Sequence, residues 1–259
     1  MNDRLSFYRN KDSVIHALNP FTKLTLVFAL VVCGLGSAGF WTASILACLV
    51  LIPLVLAAKL LREYLGTALK LILPTAGFMF VMQSIFIPGG TTEIFRVGIF
   101  SIELETVQRS YLIASRIFLV ISAFTFLLLT THPSELMTDL TRRGLPPQFS
   151  YVLLSTLQII PQMQAKAQAI IAAQRSRGLD TQSSFLKRVG SLVPLVGPLV
   201  FGSLVEVEER AIAIEARGFT STHVKTYLHE VPDTKVDKTI RLILTILVIL
   251  ALASRIWLS

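Results

Sequence analysis

Apolar residues in this chain come in runs of helical length, separated by short polar breaks. The runs cover residues 22–38, 41–58, 68–88, 111–131 and 240–257. A bilayer-spanning α-helix needs about 20 mostly apolar residues, so the pattern predicts about five transmembrane helices. Only a glycine-containing turn separates the first two, which therefore read as a tight hairpin. The third carries Pro74 and stops at the Pro88-Gly89-Gly90 break. The fourth contains Arg116 near its start, a side chain that either faces the protein interior or snorkels outward. A further apolar run, GSLVPLVGPLVFGSLV at 190–205, is interrupted by Pro194 and Pro198.

Composition agrees with this pattern. Hydrophobic residues make up 53% of the 259 and charged residues 15%, against roughly 25% charge in a soluble domain. The first twenty residues carry Arg4, Arg9, Lys11, Asp3 and Asp12 but no apolar signal-peptide core. The first hydrophobic helix is therefore expected to act as its own insertion signal. With the N-terminus in the cytoplasm and five single crossings, the cytoplasmic parts are 1–23, 59–70 and 132–241. They hold 4, 3 and 13 Lys/Arg, or 20 of the 24. The outer loop 89–110 holds Arg96 and Arg109 against three glutamates. This asymmetry predicts an N-terminus inside. It also accounts for the formal charge of +8 without nucleic acid, because the basic residues form no dense run.

A single crossing by 190–205 would put the basic clusters around Lys187 and Arg217 on opposite faces, so the stretch 132–238 reads as one cytoplasmic-side unit of long, partly amphipathic helices. Pro133 suits an early helical position, with Ser134 or Thr131 as the cap, and Gly144-Leu145-Pro146-Pro147 ends that short helix after Arg143. A long helix is expected from about Ser150 to Arg177, and another from about Ser184 to Arg217, bent or broken by its prolines. Residues 219–238 read as polar and irregular. The expected fold is thus an all-α integral membrane protein. Residues 1–131 form N-terminal transmembrane helices, 132–238 long coupling helices on the cytoplasmic side, and 239–259 a C-terminal transmembrane helix.

Catalytic and cofactor chemistry finds little support. Cys33 and Cys48 sit in apolar runs with no metal-ligand spacing. The sequence GLGSAG at 34–39 matches a dinucleotide-binding pattern, but a transmembrane helix precedes it and no acidic residue follows before Glu63. Its glycines are better suited to the hairpin turn and to close helix approach. No phosphate-binding G-x-x-x-x-G-K-[ST] loop occurs. His16, His132, His223 and His229 are not paired with Cys or Glu at metal-ligand spacing. The five spans contain no Asp or Glu, which argues against a proton-coupled carrier. The chain reads as non-enzymatic, with no cofactor and no metal site.

Two helix endings stand out: AAQRSRGLD at 172–180 and AIEARGFTS at 213–221. A glycine just past a helix adopts the left-handed conformation that closes it, and a cation in the last turn suits the helix dipole. Arg-Gly is therefore an ordinary helix stop, and Arg143-Gly144 has the same form. Context adds weight to the other two, because each ends a long helix in the portion expected to face the cytoplasm. A guanidinium at a helix end offers a partner protein five fixed donors, and two such tips suit a pair of related partner subunits.

In its motifs the chain resembles the transmembrane T component of energy-coupling factor (ECF) transporters, the CbiQ/EcfT-type permease family. The block SVIHALNPFTKL at 13–24 is similar to that family's entry into the first span, THPSELMTDLTRRGLPPQFSY at 131–151 to its Thr-x-Pro block, and the two Arg-Gly ends to its paired Ala-Arg-Gly motifs. The resemblance implies a non-catalytic scaffold in a prokaryotic cytoplasmic membrane. It would join two cytoplasmic ABC-type ATPases, identical or different, to a small membrane substrate-binding S component that delivers a vitamin or a cobalt or nickel ion. Carried over residue by residue, Ser176, Arg177 and Gly178 and Ala216, Arg217 and Gly218 would be the ATPase-coupling motifs, with Ser176 where the family usually has alanine. His16, Pro20 and Lys23 match the N-terminal block, with membrane-entry packing as their expected role. Two other readings remain open on the residues alone: the substrate-translocating permease of an ordinary ATP-binding-cassette importer, and an intramembrane enzyme.

Overall fold

The computed structural model describes residues 13, 15–37, 39–87, 92–97, 100–178, 193–221 and 232–258. Helices dominate them. In chain order they are α1 (Pro20–Gly36), α2 (Thr42–Ala57), α3 (Leu61–Phe86), α4 (Leu104–Thr130), α5 (Pro133–Arg142), α6 (Pro147–Ser176), α7 (Val193–Ala216) and α8 (Lys235–Leu258). Between α3 and α4 lies a two-stranded antiparallel hairpin, β1 (Glu93–Val97) and β2 (Phe100–Glu103). It falls in the stretch that the hydrophobic pattern leaves as a loop, because strands of five and four residues carry no apolar run of helical length. The helices α3 and α4 are long and apolar enough to cross a membrane, while α1 and α2 are shorter apolar helices.

Several helices begin earlier than their apolar runs. The fourth run starts at 111, whereas α4 starts at Leu104, since the polar turn from Glu105 to Ser110 continues the helix. The last helix starts at Lys235 rather than 240, so 235–238 is helical and not irregular. Prolines inside α2 and α3 are absorbed rather than breaking the helix. Pro53 and Pro74 each follow a widened π turn, at Ala47–Leu51 and Ala68–Ile72. Proline clashes with the carbonyl four residues back and donates no hydrogen, and a local π adjustment is one way the freed backbone groups are satisfied again. Helix α6 likewise runs on through Pro161, and α7 starts at Val193 with Pro194 next and continues through Pro198. Residues 184–192, the expected start of that helix, lie outside the described residues.

The α2–α3 junction closes with a left-handed Lys59 (φ 57°). Lys59 N–H donates to Leu56 O at 2.9 Å and Leu60 N–H to Val55 O at 3.2 Å. These are the paired bonds of a Schellman stop, with Val55 and Leu60 both buried against each other's turn.

The chain forms two compact units, residues 1–143 with 231–259, and residues 144–230. In the first, α1 is the centre, packing on α8, α4, α5 and α2, while α3 packs on α4. Its core includes Val27, Leu30, Leu51, Val55, Ala123 and Phe126. Gly34 lets α1 and α4 approach closely: a Cβ there would lie 2.3 Å from Leu119 Cδ2. This is the packing role expected for the first glycine of GLGSAG. Arg116, ambiguous in the sequence, donates to Ser37 O at 2.9 Å and so closes the C-terminal end of α1. Helix α5 belongs to this unit through its contact with α1, so the compact second unit is narrower than the stretch 132–238. Buried side-chain bonds to it, described below, are the physical reason. In the second unit α6 packs on α7. Lys166 pairs with Glu206, Ser203 Oγ donates to Met163 S at 3.6 Å, and the rings of Tyr151 and Phe219 lie 5.4 Å apart.

Candidate functional site

The two long-helix tips share one local geometry. Arg177 is the C-cap of α6 and Gly178 follows at φ +89°, its N–H donating to Arg175 O at 3.0 Å. At the end of α7, Arg217 precedes Gly218 at φ +70°. Gly218 N–H donates to Glu215 O at 2.9 Å and Phe219 N–H to Ile214 O at 3.2 Å. That pair of bonds is a complete Schellman stop, and glycine carries it because only a residue without Cβ occupies this region at no cost. Ser176 and Ala216, just ahead of the arginines, are small and exposed; the Ser176 hydroxyl turns back to Ala172 O at 3.2 Å. Arg177 and Arg217 are both exposed.

Arg143-Gly144 has the same backbone form, with Gly144 at φ +113°, but its arginine is engaged. Arg143 Nε donates to Asp139 at 2.8 Å, its terminal nitrogen lies 3.4 Å from Asp233, and the guanidinium sits 4.2 Å over the Phe21 ring centroid. Three identical sequence stops therefore split into one internal joint and two projecting tips. Part of this split is local, since an aspartate stands four residues before Arg143 where the other two stops have Ala173 and Ala213; the rest lies in Phe21 and Asp233, far away along the chain.

The N-terminal block resolves into specific bonds. Asn19 caps α1, accepting from Phe21 N–H at 2.9 Å, and Pro20 fills the first helical position, where its missing N–H costs nothing. Lys23, buried to 2% exposure, donates from Nζ to Thr130 O at 3.0 Å and to His16 O at 3.2 Å. Thr130 is the last residue of α4, so the ammonium satisfies a carbonyl that has no intrahelical partner and sits at the negative end of that helix dipole. The His16 ring hydrogen-bonds the Ser13 hydroxyl at 2.7 Å and closes the turn ahead of α1. The block thus stitches α1 to the end of α4, which is more specific than membrane-entry packing.

The helix after α4 is capped differently from expectation. His132, not Thr131 or Ser134, is the N-cap of α5, its Nδ1 accepting from Ser134 N–H at 3.2 Å, with Pro133 at the first position. A ring nitrogen at this distance serves as the short polar cap side chains do.

Around Asn19 lies a buried polar cluster that the sequence reading missed. Asn19 Nδ2 donates to Asp139 Oδ1 and to Pro232 O, both at 3.3 Å, and its backbone N–H to Asp237 Oδ1 at 3.1 Å. Asn19, Asp139 and Asp237 are 1%, 3% and 1% exposed. Asp237 and Thr234 form a reciprocal cap at the start of α8, with Thr234 Oγ1 donating at 2.6 Å and Asp237 N–H returning to that oxygen at 3.2 Å. Burial pushes the Asp237 carboxyl up, but bonds from Thr234 and from the Asn19 N–H outweigh it and leave the group below the usual carboxylate range. Asp233 is also held low, chiefly by the Arg241 guanidinium bonded at 2.7 and 2.9 Å. A T-x-x-D capping signal at 234–237 was legible in the sequence; the partners of its carboxylate were not. Among the described residues, no three of His, Cys, Asp and Glu come together as a group able to hold a metal ion.

Two apolar helices of spanning length, α3 and α4, and a unit whose two long helices end in exposed arginines fit a helical membrane protein. The family model for CbiQ, described as a cobalt transport protein, matches residues 11–228. Relatives named energy-coupling factor transporter transmembrane protein EcfT match most of the chain. That of Limosilactobacillus fermentum is 29% identical over 99% of each chain. That of Heliobacterium modesticaldum is 31% identical over 86% of each. That of Bacillus subtilis is 30% identical, covering 93% of this chain and 92% of its own. The chain belongs to the CbiQ/EcfT family and is a membrane component of an energy-coupling factor transporter.

Proposed function

We propose that this chain is the non-catalytic scaffold of an ECF-type importer in the prokaryotic cytoplasmic membrane, with its N-terminus inside. It links ATP hydrolysis by two ABC-type ATPases to reorientation of a separate membrane S component that carries a vitamin or a transition-metal ion. The observation that carries the reading is the matched pair of exposed tips, Ser176-Arg177-Gly178 and Ala216-Arg217-Gly218, each set by a left-handed glycine at the end of a long helix. A rigid helix end presents the guanidinium without loop entropy, and its fork suits carbonyls and carboxylates in a groove. Two similar tips suit two similar grooves, one on each ATPase. The exposed apolar side chains Phe149, Leu153 and Leu157 of α6 and Val200 and Leu204 of α7 exceed what a water-facing surface tolerates. They suit contact with lipid and with the S component.

The test is a pull-down from native membranes followed by mass spectrometry. Two ATPase subunits, or two copies of one, and a small membrane protein are expected with the wild-type chain. Losing a buried charge-assisted contact at such a joint costs about 2–5 kcal/mol. Arg177→Glu combined with Arg217→Glu should therefore strip the ATPases while the chain still inserts. Unchanged recovery of the ATPases with the double variant would sink the reading. Substrate binding by the chain alone, with no S component recovered, would favour an ordinary importer permease instead.

A further inference from the structure

The second compact unit leaves the first after Arg143 and returns to it at Val231. Both junctions are tied into the same cluster of side chains. On the outgoing side, Arg143 binds Asp139 at 2.8 Å and stacks over Phe21. On the returning side, the Pro232 carbonyl accepts from Asn19, and Asp233 is held by Arg241 at 2.7 Å. Two residues bridge the sides directly. Asn19 Nδ2 donates both to Asp139 and to Pro232 O, and Asp233 receives Arg143 at 3.4 Å as well as Arg241. Phe21 completes the joint, with the Arg143 guanidinium 4.2 Å and the Arg241 guanidinium 5.7 Å from its ring centroid.

We propose that this cluster is a clasp, a fixed pivot that keeps the outgoing and returning strands of the second unit together throughout the transport cycle. Asn19, Arg143 and Asp233 are then positioning residues for energy coupling. The inference rests on the coupling reading above. The physical reason is leverage. An inserted unit joined by two separate strands dissipates a pull at its far end by spreading the strands. One whose strands are pinned at a single point transmits the pull to α1, α5 and α8, on which the pin is built. The bonds suit a permanent joint: Asn19 and Asp139 are almost wholly removed from water, where a broken hydrogen bond leaves a donor or acceptor unsatisfied. Asp139 and Asp233 are set against two guanidinium groups, and the third carboxylate, Asp237, is held by Thr234 and by the Asn19 N–H.

Spin-label distance measurements on the complete complex with its ATPases, in nanodiscs, test the proposal without knowledge of the substrate. Cys33 and Cys48 are replaced by serine. One labelled pair, Thr141→Cys with Thr239→Cys, flanks the clasp; a second, Gln174→Cys with Glu215→Cys, reports on the helix tips. Distances are read without nucleotide and with ATP and vanadate. The expected result is an unshifted clasp pair beside a shifted tip pair, and a broadened clasp distribution once Arg143→Ala and Asp233→Ala are added. A clasp pair that shifts with nucleotide in the parent overturns the pivot. So does a distribution as narrow in the double-alanine variant as in the parent. Tips that stay still with both ATPases bound would remove the stroke itself; that result refutes the coupling reading, and the pivot with it.

Discussion

Lys23 Nζ donates to the backbone carbonyl of Thr130 at 3.0 Å, with both residues buried. One side chain thus closes the C-terminal end of α4 from the first turn of α1. Lys23→Met keeps the bulk of the stem and removes the donor, leaving that carbonyl without its partner. The expected cost is about 1–3 kcal/mol, read as a lower midpoint in a denaturing-detergent titration. Faster amide exchange in the last turn of α4 should accompany it.

Gly34 and Leu119 set the α1–α4 spacing. An added methyl at Gly34 meets Leu119 Cδ2 at 2.3 Å, so Gly34→Ala must displace a side chain that is itself fully buried. Overpacking of this kind costs about 1–3 kcal/mol. In a Leu119→Ala background the obstruction is gone, and Gly34→Ala should lose most of its penalty. Additive effects in that double-mutant cycle would show that the two residues do not oppose each other.

Gly178 and Gly202 offer a matched comparison in the second unit. Neither has an atom within 4 Å of an added Cβ, but Gly178 has φ +89° while Gly202 lies within α7. Gly178→Ala should destabilise the end of α6 by about 1–2 kcal/mol through left-handed strain alone. Gly202→Ala should stabilise α7 by about 0.5–1 kcal/mol. Hydrogen exchange at 170–176 and along α7 reads the opposite signs separately.

Acid should loosen the clasp. The Asp237 carboxyl is held below its ordinary value in the folded protein, so its contribution is full above the unfolded pKa of about 3.9 and is lost as pH falls through the folded value. Asp233 acts in the same direction. Asp237→Asn should melt below wild type at pH 7, and the gap should close as the pH is lowered toward and below about 4. A gap independent of pH would show that the Asp237 charge does not contribute.

The hydrophobic pattern was enough to show the helices, the membrane class and the stops at Gly144, Gly178 and Gly218, because each depends on neighbours within a turn or on the summed apolarity of one segment. It also exposed the paired tips, since Arg-Gly at the end of a long helix is a local signal. Three things escaped it for the same physical reason. Apart from the Asp139–Arg143 pair, which lies within one helical turn, the split of Arg143 from Arg177 and Arg217, the capping of α4 by Lys23, and the gathering of Asp139, Asp233 and Asp237 around Asn19 and Arg143 join groups 90 or more positions apart in the chain. Residue type says that a buried carboxylate or amide needs partners; it does not say which. Only the packing of α1 against α4, α5 and α8 brings those partners within hydrogen-bond reach, and so tertiary structure completes, around the local Asp139–Arg143 pair, the joint that sets one Arg-Gly stop apart from the two tips.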